Sequence, residues 1–202
     1  MIRVHQWTER AGWSGAAEMA AAQILIGIDP GNTGALMAIR RDVPDEIAFW
    51  QSWCTPEGLA LAIAMLRRHV FPRRTRAVII VEEPFFASSR SGAIEQGWAA
   101  GHVATLAAVA VDATDIVRAK SEVWQSPILG PALTETGAKP TRQKKGEPKV
   151  RGGKDKRSIR KRQALAILPA VVANSVTTKE LKEALADAHG ITRWGLLHVA
   201  SE

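Results

Sequence analysis

One short stretch constrains the fold more than any other part of the sequence. Residues 24–39 contain two Ile-rich apolar runs on either side of a centre that reads Asp29-Pro-Gly-Asn-Thr-Gly34. Apolar runs separated by Pro, Gly and Asn are typical of two strands joined by a tight turn. Asp29 ends the first run, and a carboxylate at the end of a buried strand needs a partner. It either caps the turn or binds a metal, and this stretch alone favours capping.

Two other stretches add acids. Residues 77–81 form a second β-branched run that ends at Glu82 and Glu83, and Asp187 lies in an Ala-rich segment that reads as a helix. Neighbouring strand residues point to opposite faces, so Glu82 and Glu83 are not both expected in one site. Acids at two strand ends and on one helix favour a site for a hard divalent cation such as Mg²⁺, which binds oxygen ligands.

The order of these motifs resembles a known family. The motifs are Gly27-Ile-Asp29-Pro-Gly31 with Thr33-Gly34, then Val81-Glu82, Trp124-Gln125 and Ala186-Asp187-Ala188. They are similar to those of the RuvC-like Holliday junction resolvases of the ribonuclease H superfamily, in their bacteriophage-type branch, over about residues 24–198. The resemblance implies an α/β fold with a ribonuclease H-like mixed five-stranded sheet flanked by helices.

The resemblance also implies an activity, that of a magnesium-dependent, structure-selective DNA endonuclease that resolves four-way junctions and leaves 5′ phosphates. Asp29, Glu82 and Asp187 would be the catalytic acids and would bind two Mg²⁺ ions roughly 4 Å apart, with Mn²⁺ able to substitute. The family usually has a fourth acid three residues before the last, where this chain has Ala184. Glu183 lies four residues before Asp187, on roughly the same helix face, and is the candidate replacement.

The positive charge is concentrated in one segment. Residues 139–162 hold twelve of the 27 Lys and Arg residues and two of the 20 acids, a local charge of +10 in a chain of net charge +7. Such a segment favours DNA or RNA as the partner, although a solvated basic loop has the same composition. The resemblance implies that this partner is branched DNA. A basic loop is expected at about 134–158, followed by a helix with one cationic face. The candidate DNA-binding residues are Lys144, Lys145, Lys149, Arg151, Lys154, Lys156, Arg157, Arg160 and Lys161.

Aromatic residues and histidines leave alternatives open. Phe85 and Phe86 follow the acidic strand and are candidate DNA-binding wedges that stack on unpaired bases, or they pack a loop onto the core. Trp124 is expected to pack. Family members usually carry Lys after this Trp, and Gln125 stands there instead. His102 and His189 lie in helical, Ala-rich contexts that favour packing or surface roles over acid–base chemistry.

The composition bounds the organisation of the chain. At 202 residues it is expected to form one ribonuclease H-like domain over residues 23–202, preceded by an N-terminal extension of residues 1–22 expected to be disordered. Cys54 is the only cysteine, which excludes an intrachain disulfide. No apolar run is long enough to cross a bilayer, so we expect no membrane partner and a cytoplasmic location in a bacterial or phage-infected host cell.

The segment of residues 92–111 is rich in Ala and Gly, including Gly97, Ala100, Gly101, Ala104 and Ala108. Small residues at helical spacing allow close approach of another helix, so this helix is either a core helix or the seam of a homodimer. RuvC-like enzymes pair their subunits, which suits a substrate with two-fold symmetry.

Three other functions compete with junction resolution. The first is a nuclease of the same fold that cuts flaps, RNA/DNA hybrids, or branched replication or packaging intermediates. The second is a catalytically silent DNA-binding protein, which Ala184 favours and the three retained acids oppose. The third is an actin-like ATPase, which the chain length and the lack of a second phosphate-binding glycine loop oppose.

Overall fold

The computed structural model describes residues 3–6, 24–41, 44–70, 77–83, 90–113, 115–132 and 156–200. Its described strands are β1 (Arg3–Gln6), β2 (Ile24–Asp29), β3 (Gly34–Arg40), β4 (Ile47–Trp53), β5 (Ala77–Glu83) and β6 (Asp115–Lys120). Its described helices are α1 (Pro56–His69), α2 (Arg90–Val111), α3 (Ser121–Leu129), α4 (Lys156–Ile167), α5 (Ala170–Ala173) and α6 (Lys179–Ala200).

The strands form one mixed sheet in the order β1-β6-β5-β2-β3-β4. β2, β3 and β4 are antiparallel neighbours, whereas β5 runs parallel to β2 and β6 runs parallel to β5. The sequence-based expectation of an α/β fold with a mixed five-stranded sheet flanked by helices is confirmed by β2 to β6.

A sixth strand lies at the edge of this sheet. β1 pairs in parallel with β6, from Arg3 opposite Asp115 to Gln6 opposite Arg118. These four residues belong to the N-terminal extension of residues 1–22, to which the sequence analysis assigned no strand. Pairing with an edge strand needs only free backbone groups, which leave no side-chain pattern in the sequence.

The β2–β3 hairpin is the centre of the core, as the Ile-rich runs predict. Its register runs from Ile24 opposite Arg40 to Asp29 opposite Ala35. Both faces of β2 are buried: Ile24, Ile26 and Ile28 pack on the side of α1 and α2, and Leu25 packs on the side of α6. A sheet covered by helices on both faces has continuous apolar strands rather than alternating ones.

Local signals set the helix boundaries. The predicted helix α1 begins after Thr55, whose hydroxyl accepts a hydrogen bond from the backbone N–H of Gly58 at 3.1 Å, and Pro56 occupies the first turn. Helix α4 ends at Ile167, and Pro169 caps the short helix α5, as expected of a residue that cannot continue a helix. None of the described helices is long and apolar enough to cross a membrane.

Helix α2 contributes its alanines to the core. Ala100, Ala104 and Ala108 are buried in the same cluster as the β5 residues Ile79 and Val81. The core alternative therefore holds for these alanines. Gly97 and the neighbouring Trp98, nearer the start of the helix, are exposed.

Candidate active site

Three acids come together at one end of the sheet. Because β2 and β5 are parallel with Ile28 opposite Val81, the next residues, Asp29 and Glu82, end adjacent strands side by side. Asp187 faces them from α6, and the charges of Glu82 and Asp187 both raise the pKa of Asp29. Asp29, Glu82 and Asp187 are called the acid cluster below.

Helix α6 is fixed against the sheet by one buried hydroxyl. Thr192 Oγ1 accepts a hydrogen bond from the backbone N–H of Gly27 at 3.1 Å. The same oxygen lies 2.7 Å from the carbonyl oxygen of Ala188 and 3.2 Å from that of Met37. A Cβ at Gly27 would overlap Thr192 Oγ1, so the close approach requires glycine. This contact sets the height of Asp187 above the strand that carries Asp29.

Glu82 is held by two donors from α3. The hydroxyl of Ser121 and the indole N–H of Trp124 both donate to Glu82 Oε1, the latter at 3.0 Å. Burial raises the pKa of Glu82, and these two hydrogen bonds lower it because they favour the ionised form. Trp124 is fully buried, as expected for a packing residue, but sequence reasoning missed its bond to Glu82 and missed Ser121 entirely.

The carboxylates of the acid cluster are buried close to one another, which disfavours their ionised forms. Burial, followed by the negative charges of Glu82 and Asp187, raises the pKa of Asp29 well above its ordinary value. Burial, then Glu82, raises the pKa of Asp187 to about 7, with Lys161 and Arg157 opposing the shift. Carboxylates that share a poorly solvated site repel each other, and a cation relieves that repulsion.

Of the two roles that the sequence left open for Asp29, the structure shows the turn cap. Its Oδ1 accepts a hydrogen bond from the backbone N–H of Gly31 at 3.3 Å, so it caps the turn after β2. This bond lowers the pKa of Asp29 but does not overcome burial and the neighbouring acids. A carboxylate has several lone pairs, so capping the turn leaves oxygen sites for a cation.

The helical turn before Asp187 has a buried alanine at the position of the usual fourth acid and a glutamate next to it. Ala184 is buried in the apolar cluster under α6 and cannot act as a ligand. Glu183 pairs with Lys161 of α4 and, at 3.7 Å, with Lys179 of its own helix, and its charge helps to raise the pKa of Asp187. Glu83 is not among the charges that shift the pKa of Asp29 or Asp187, in line with the alternation of β5.

The candidates for DNA contact that the structure describes are Lys156, Arg157, Arg160 and Lys161, all on α4. Arg157 is exposed, and its charge lowers the pKa of Asp187. Arg160 donates to the carbonyl oxygen of Gln125 at 3.3 Å and to that of Gly130, so its guanidinium links α4 to the end of α3. Of Lys156 only the helical position is described. The other candidates for DNA contact lie outside the described residues, namely Phe85, Phe86, Lys144, Lys145, Lys149, Arg151 and Lys154.

The two histidines stay outside the acid cluster. His102 is exposed on α2, which covers the opposite face of the sheet. His189 is buried on α6, and burial followed by the charge of Arg193 lowers its pKa to about 4. It is therefore neutral at physiological pH, which agrees with the packing or surface role expected from the sequence.

The donor set fits a hard divalent ion. Carboxylate oxygens are the ligands that Mg²⁺ and Mn²⁺ prefer, and the repulsion among the three acids would be relieved by a cation between them. Within the ranges that the structure describes, no three Asp, Glu, His or Cys side chains surround one point closely enough to hold an ion as they stand. Binding would therefore draw the carboxylates together.

No protein-family model matches the sequence, and no curated protein matches it. Among solved structures, Thermus thermophilus RuvC in complex with Holliday junction substrate is 18% identical, with a TM-score of 0.48 over 83% of this chain and 91% of that chain. A second Thermus thermophilus RuvC structure is 19% identical, with a TM-score of 0.41 over 83% of this chain and 92% of that chain. At these low identities, the activity of this chain has to be inferred from its own residues.

Proposed function

We propose that this chain is a magnesium-dependent, structure-selective endodeoxyribonuclease that resolves four-way DNA junctions. The observation that carries the proposal is the convergence of Asp29, Glu82 and Asp187 from two strands and one helix into a cluster where the pKa of Asp187 is raised to about 7. Such a cluster costs folding free energy, so a function that needs it is the simplest reason for its presence. The order of motifs around these acids supports the same reading.

In this proposal Asp29, Glu82 and Asp187 hold two Mg²⁺ ions, with Mn²⁺ able to substitute and Glu183 serving as the fourth acid. The ions would supply a water of lowered pKa as nucleophile and stabilise the departing 3′ oxygen, leaving a 5′ phosphate. The protein then needs no nucleophile of its own. Ser121 and Trp124 fix Oε1 of Glu82 and leave its second oxygen to face the cluster.

Branched DNA is the proposed substrate because cations of α4, Arg157 and Lys161, act electrostatically on the acids. Arg157 is exposed on α4 and acts electrostatically on Asp187, so a phosphate that reaches the cluster would also meet this guanidinium. In the sequence, Arg157 belongs to the basic segment of residues 139–162, whose charge is +10. Charge of this kind binds phosphates without reading sequence, so the affinity should fall steeply with salt.

A homodimer belongs to the same proposal, because a four-way junction has two symmetric strands to cut. The outer face of α2 is its candidate seam. Trp98 is 77% exposed and Val109 is 66% exposed, and their spacing of eleven residues places both side chains on the same face of the helix. Large exposed apolar side chains that lie on one helix face are typical of an interface.

The alternative is a catalytically silent or differently targeted nucleic-acid-binding protein of the same fold. Burial of Ala184 in the core favours the silent form, since the usual fourth acid is absent. Glu183 opposes it, since its charge reaches Asp187 from the preceding turn.

The deciding experiment is cleavage of a synthetic mobile four-way junction beside linear duplex, flap and RNA/DNA hybrid controls, in Mg²⁺ and in EDTA. The variants are Asp29→Asn and Glu82→Gln, with Glu83→Gln as the matched control on the same strand. We expect paired symmetric nicks that require Mg²⁺, disappear in the first two variants and persist in the third.

Other outcomes would redirect the assignment. Tight junction binding without nicking by the wild type would identify the silent binding protein. Mg²⁺-dependent cleavage of a flap or hybrid, with the junction untouched, would keep the nuclease and discard the junction. Equal loss of activity in Glu83→Gln and Glu82→Gln would contradict the assigned orientation of the strand.

A further inference from the structure

Lys161 acts on the acid cluster from a separate helix, α4. Its ammonium group pairs with the carboxylate of Glu183, and its charge lowers the pKa of both Asp29 and Asp187. These three acids, Glu183, Asp29 and Asp187, lie on two other elements, α6 and β2. The charge of Lys161 therefore acts across elements and not only along its own helix. Sequence analysis placed Lys161 among the DNA-binding residues only.

A second lysine provides an internal comparison. Lys179 also pairs with Glu183, at 3.7 Å, but it lies on the solvent side with 78% of its side chain exposed. Its charge is not among those that shift the pKa of Asp29 or Asp187. Two lysines thus share one carboxylate, and only Lys161 acts on the acid cluster.

The environment of this ion pair separates it from an ordinary surface salt bridge. Only 13% of the Glu183 side chain is exposed, and 37% of the Lys161 side chain. Surface pairs contribute little because water screens them, whereas charges in a poorly solvated site act strongly on each other. A positive charge held there compensates the acids and competes with any cation that approaches them.

We propose that Lys161 is the resident counterion of the acid cluster, which partly compensates the charge of the carboxylates until Mg²⁺ binds and thereby sets the Mg²⁺ concentration at which the site fills. The inference rests on the proposed function, because it takes Mg²⁺ as the ion that displaces the ammonium group from the acids. Lys161 is in this respect a positioning residue, since it acts through the carboxylates.

The test measures Mg²⁺ binding without DNA, so that a contact between Lys161 and phosphate does not enter the result. Isothermal titration with MgCl₂ and thermal melting in EDTA are compared for the wild type, Lys161→Gln, Lys161→Arg and Lys179→Gln. We expect Lys161→Gln to bind Mg²⁺ about fivefold more tightly or better, because the site becomes more negative. In EDTA it should melt at a lower temperature than the wild type, because the acids lose their counterion.

The two other variants keep the result interpretable. Lys161→Arg retains the charge and should stay near the wild type in both measurements. Lys179→Gln removes the same charge from the same Glu183 and should leave Mg²⁺ affinity unchanged. Unchanged or weaker Mg²⁺ binding by Lys161→Gln, or equal tightening by Lys179→Gln, would overturn the inference. A wild type that binds no Mg²⁺ would instead overturn the proposed function, and the inference with it.

Discussion

The indole N–H of Trp124 donates to Oε1 of Glu82 at 3.0 Å. The same indole ring packs against Gly190 of α6, where a Cβ would overlap it. Trp124 therefore touches both the strand that carries Glu82 and the helix that carries Asp187. One side chain links the positions of two of the three acids, although it lies outside the acid cluster itself.

Trp124→Phe should impair the proposed activity more than the fold. The phenyl ring retains most of the apolar contact, but Glu82 loses a charge-assisted donor and part of its fixed orientation. Losing an orienting bond to a ligand typically costs about 10- to 100-fold in metal affinity or activity. We expect junction nicking to fall within that range, with a stability loss of about 1 to 2 kcal/mol by thermal or urea unfolding.

Trp50→Phe is the matched control for this change. Trp50 also donates through its indole N–H, to Ser175 Oγ at 3.0 Å, but this bond links β4 to the segment after α5 and not to an acid of the cluster. Its loss should cost less stability than that of the Trp124 bond, because it is exposed and joins neutral groups, and should leave nicking within about twofold of the wild type. Equal activity losses in the two variants would contradict a special role for the Trp124 bond.

Gly27→Ala should be among the most destabilising single substitutions in the chain. The added methyl group would overlap Thr192 Oγ1 and crowd the backbone of α6, which cannot move without displacing the core. We expect a loss of about 3 kcal/mol or more, or failure to fold, measured by chemical denaturation. Gly97→Ala is the control, because a Cβ there meets nothing within 4 Å, and it should gain about 0.5 to 1 kcal/mol of helix propensity.

Local chemistry made most of the fold predictable. The β2–β3 hairpin follows from two Ile-rich runs around Asp-Pro-Gly, and α1 follows from Thr55 and Pro56 before an amphipathic pattern. The position of Asp187 on a helix could also be predicted, because the Ala-rich segment has no competing signal. Strand β1 could not be predicted, since edge pairing by backbone hydrogen bonds leaves no pattern in Arg3–Gln6.

The surroundings of the acids were far less predictable. Ser121 is 39 residues from Glu82 in sequence, and Lys161 is 22 residues from Glu183, and neither spacing has a local signature. From the sequence, Lys161 is interpreted as one more cation of a basic helix, because the pattern of charges does not show which way a side chain points. Contacts of this kind depend on how α3 and α4 pack against the sheet, which only the tertiary structure determines.

A change on the outer face of α2 tests the proposed homodimer. Trp98→Ser removes the largest exposed apolar side chain of this face, so the subunits should separate if the seam lies here. We expect the mass from light scattering to fall from that of a dimer to that of a monomer, with the melting temperature of the monomer largely kept. Leu61→Ser is the control, because Leu61 is 56% exposed on α1 and should leave the mass unchanged. A wild type that is monomeric at all concentrations would contradict the dimer outright.

Asp187→Asn should stabilise the metal-free protein at high pH while it abolishes nicking. The pKa of Asp187 is raised from 3.8 to about 7, so between these values the folded state binds more protons than the unfolded state. Stability therefore falls as pH rises through this window, and the penalty is complete above it. In EDTA at pH 8 we expect the variant to be more stable by about 1 to 3 kcal/mol, or roughly 2 to 10 °C in melting temperature.

The stability advantage of Asp187→Asn should disappear at low pH and in saturating Mg²⁺. Near pH 4 the wild-type carboxyl is protonated in the folded state, so the two proteins should melt at similar temperatures. Saturating Mg²⁺ at pH 8 should raise the melting temperature of the wild type, because ligands that bind only the folded state stabilise it, and should barely affect the variant. A wild type that is the more stable protein in EDTA at pH 8 would mean that the charge of Asp187 is already neutralised within the folded chain, and the case for a metal there would lose its electrostatic basis.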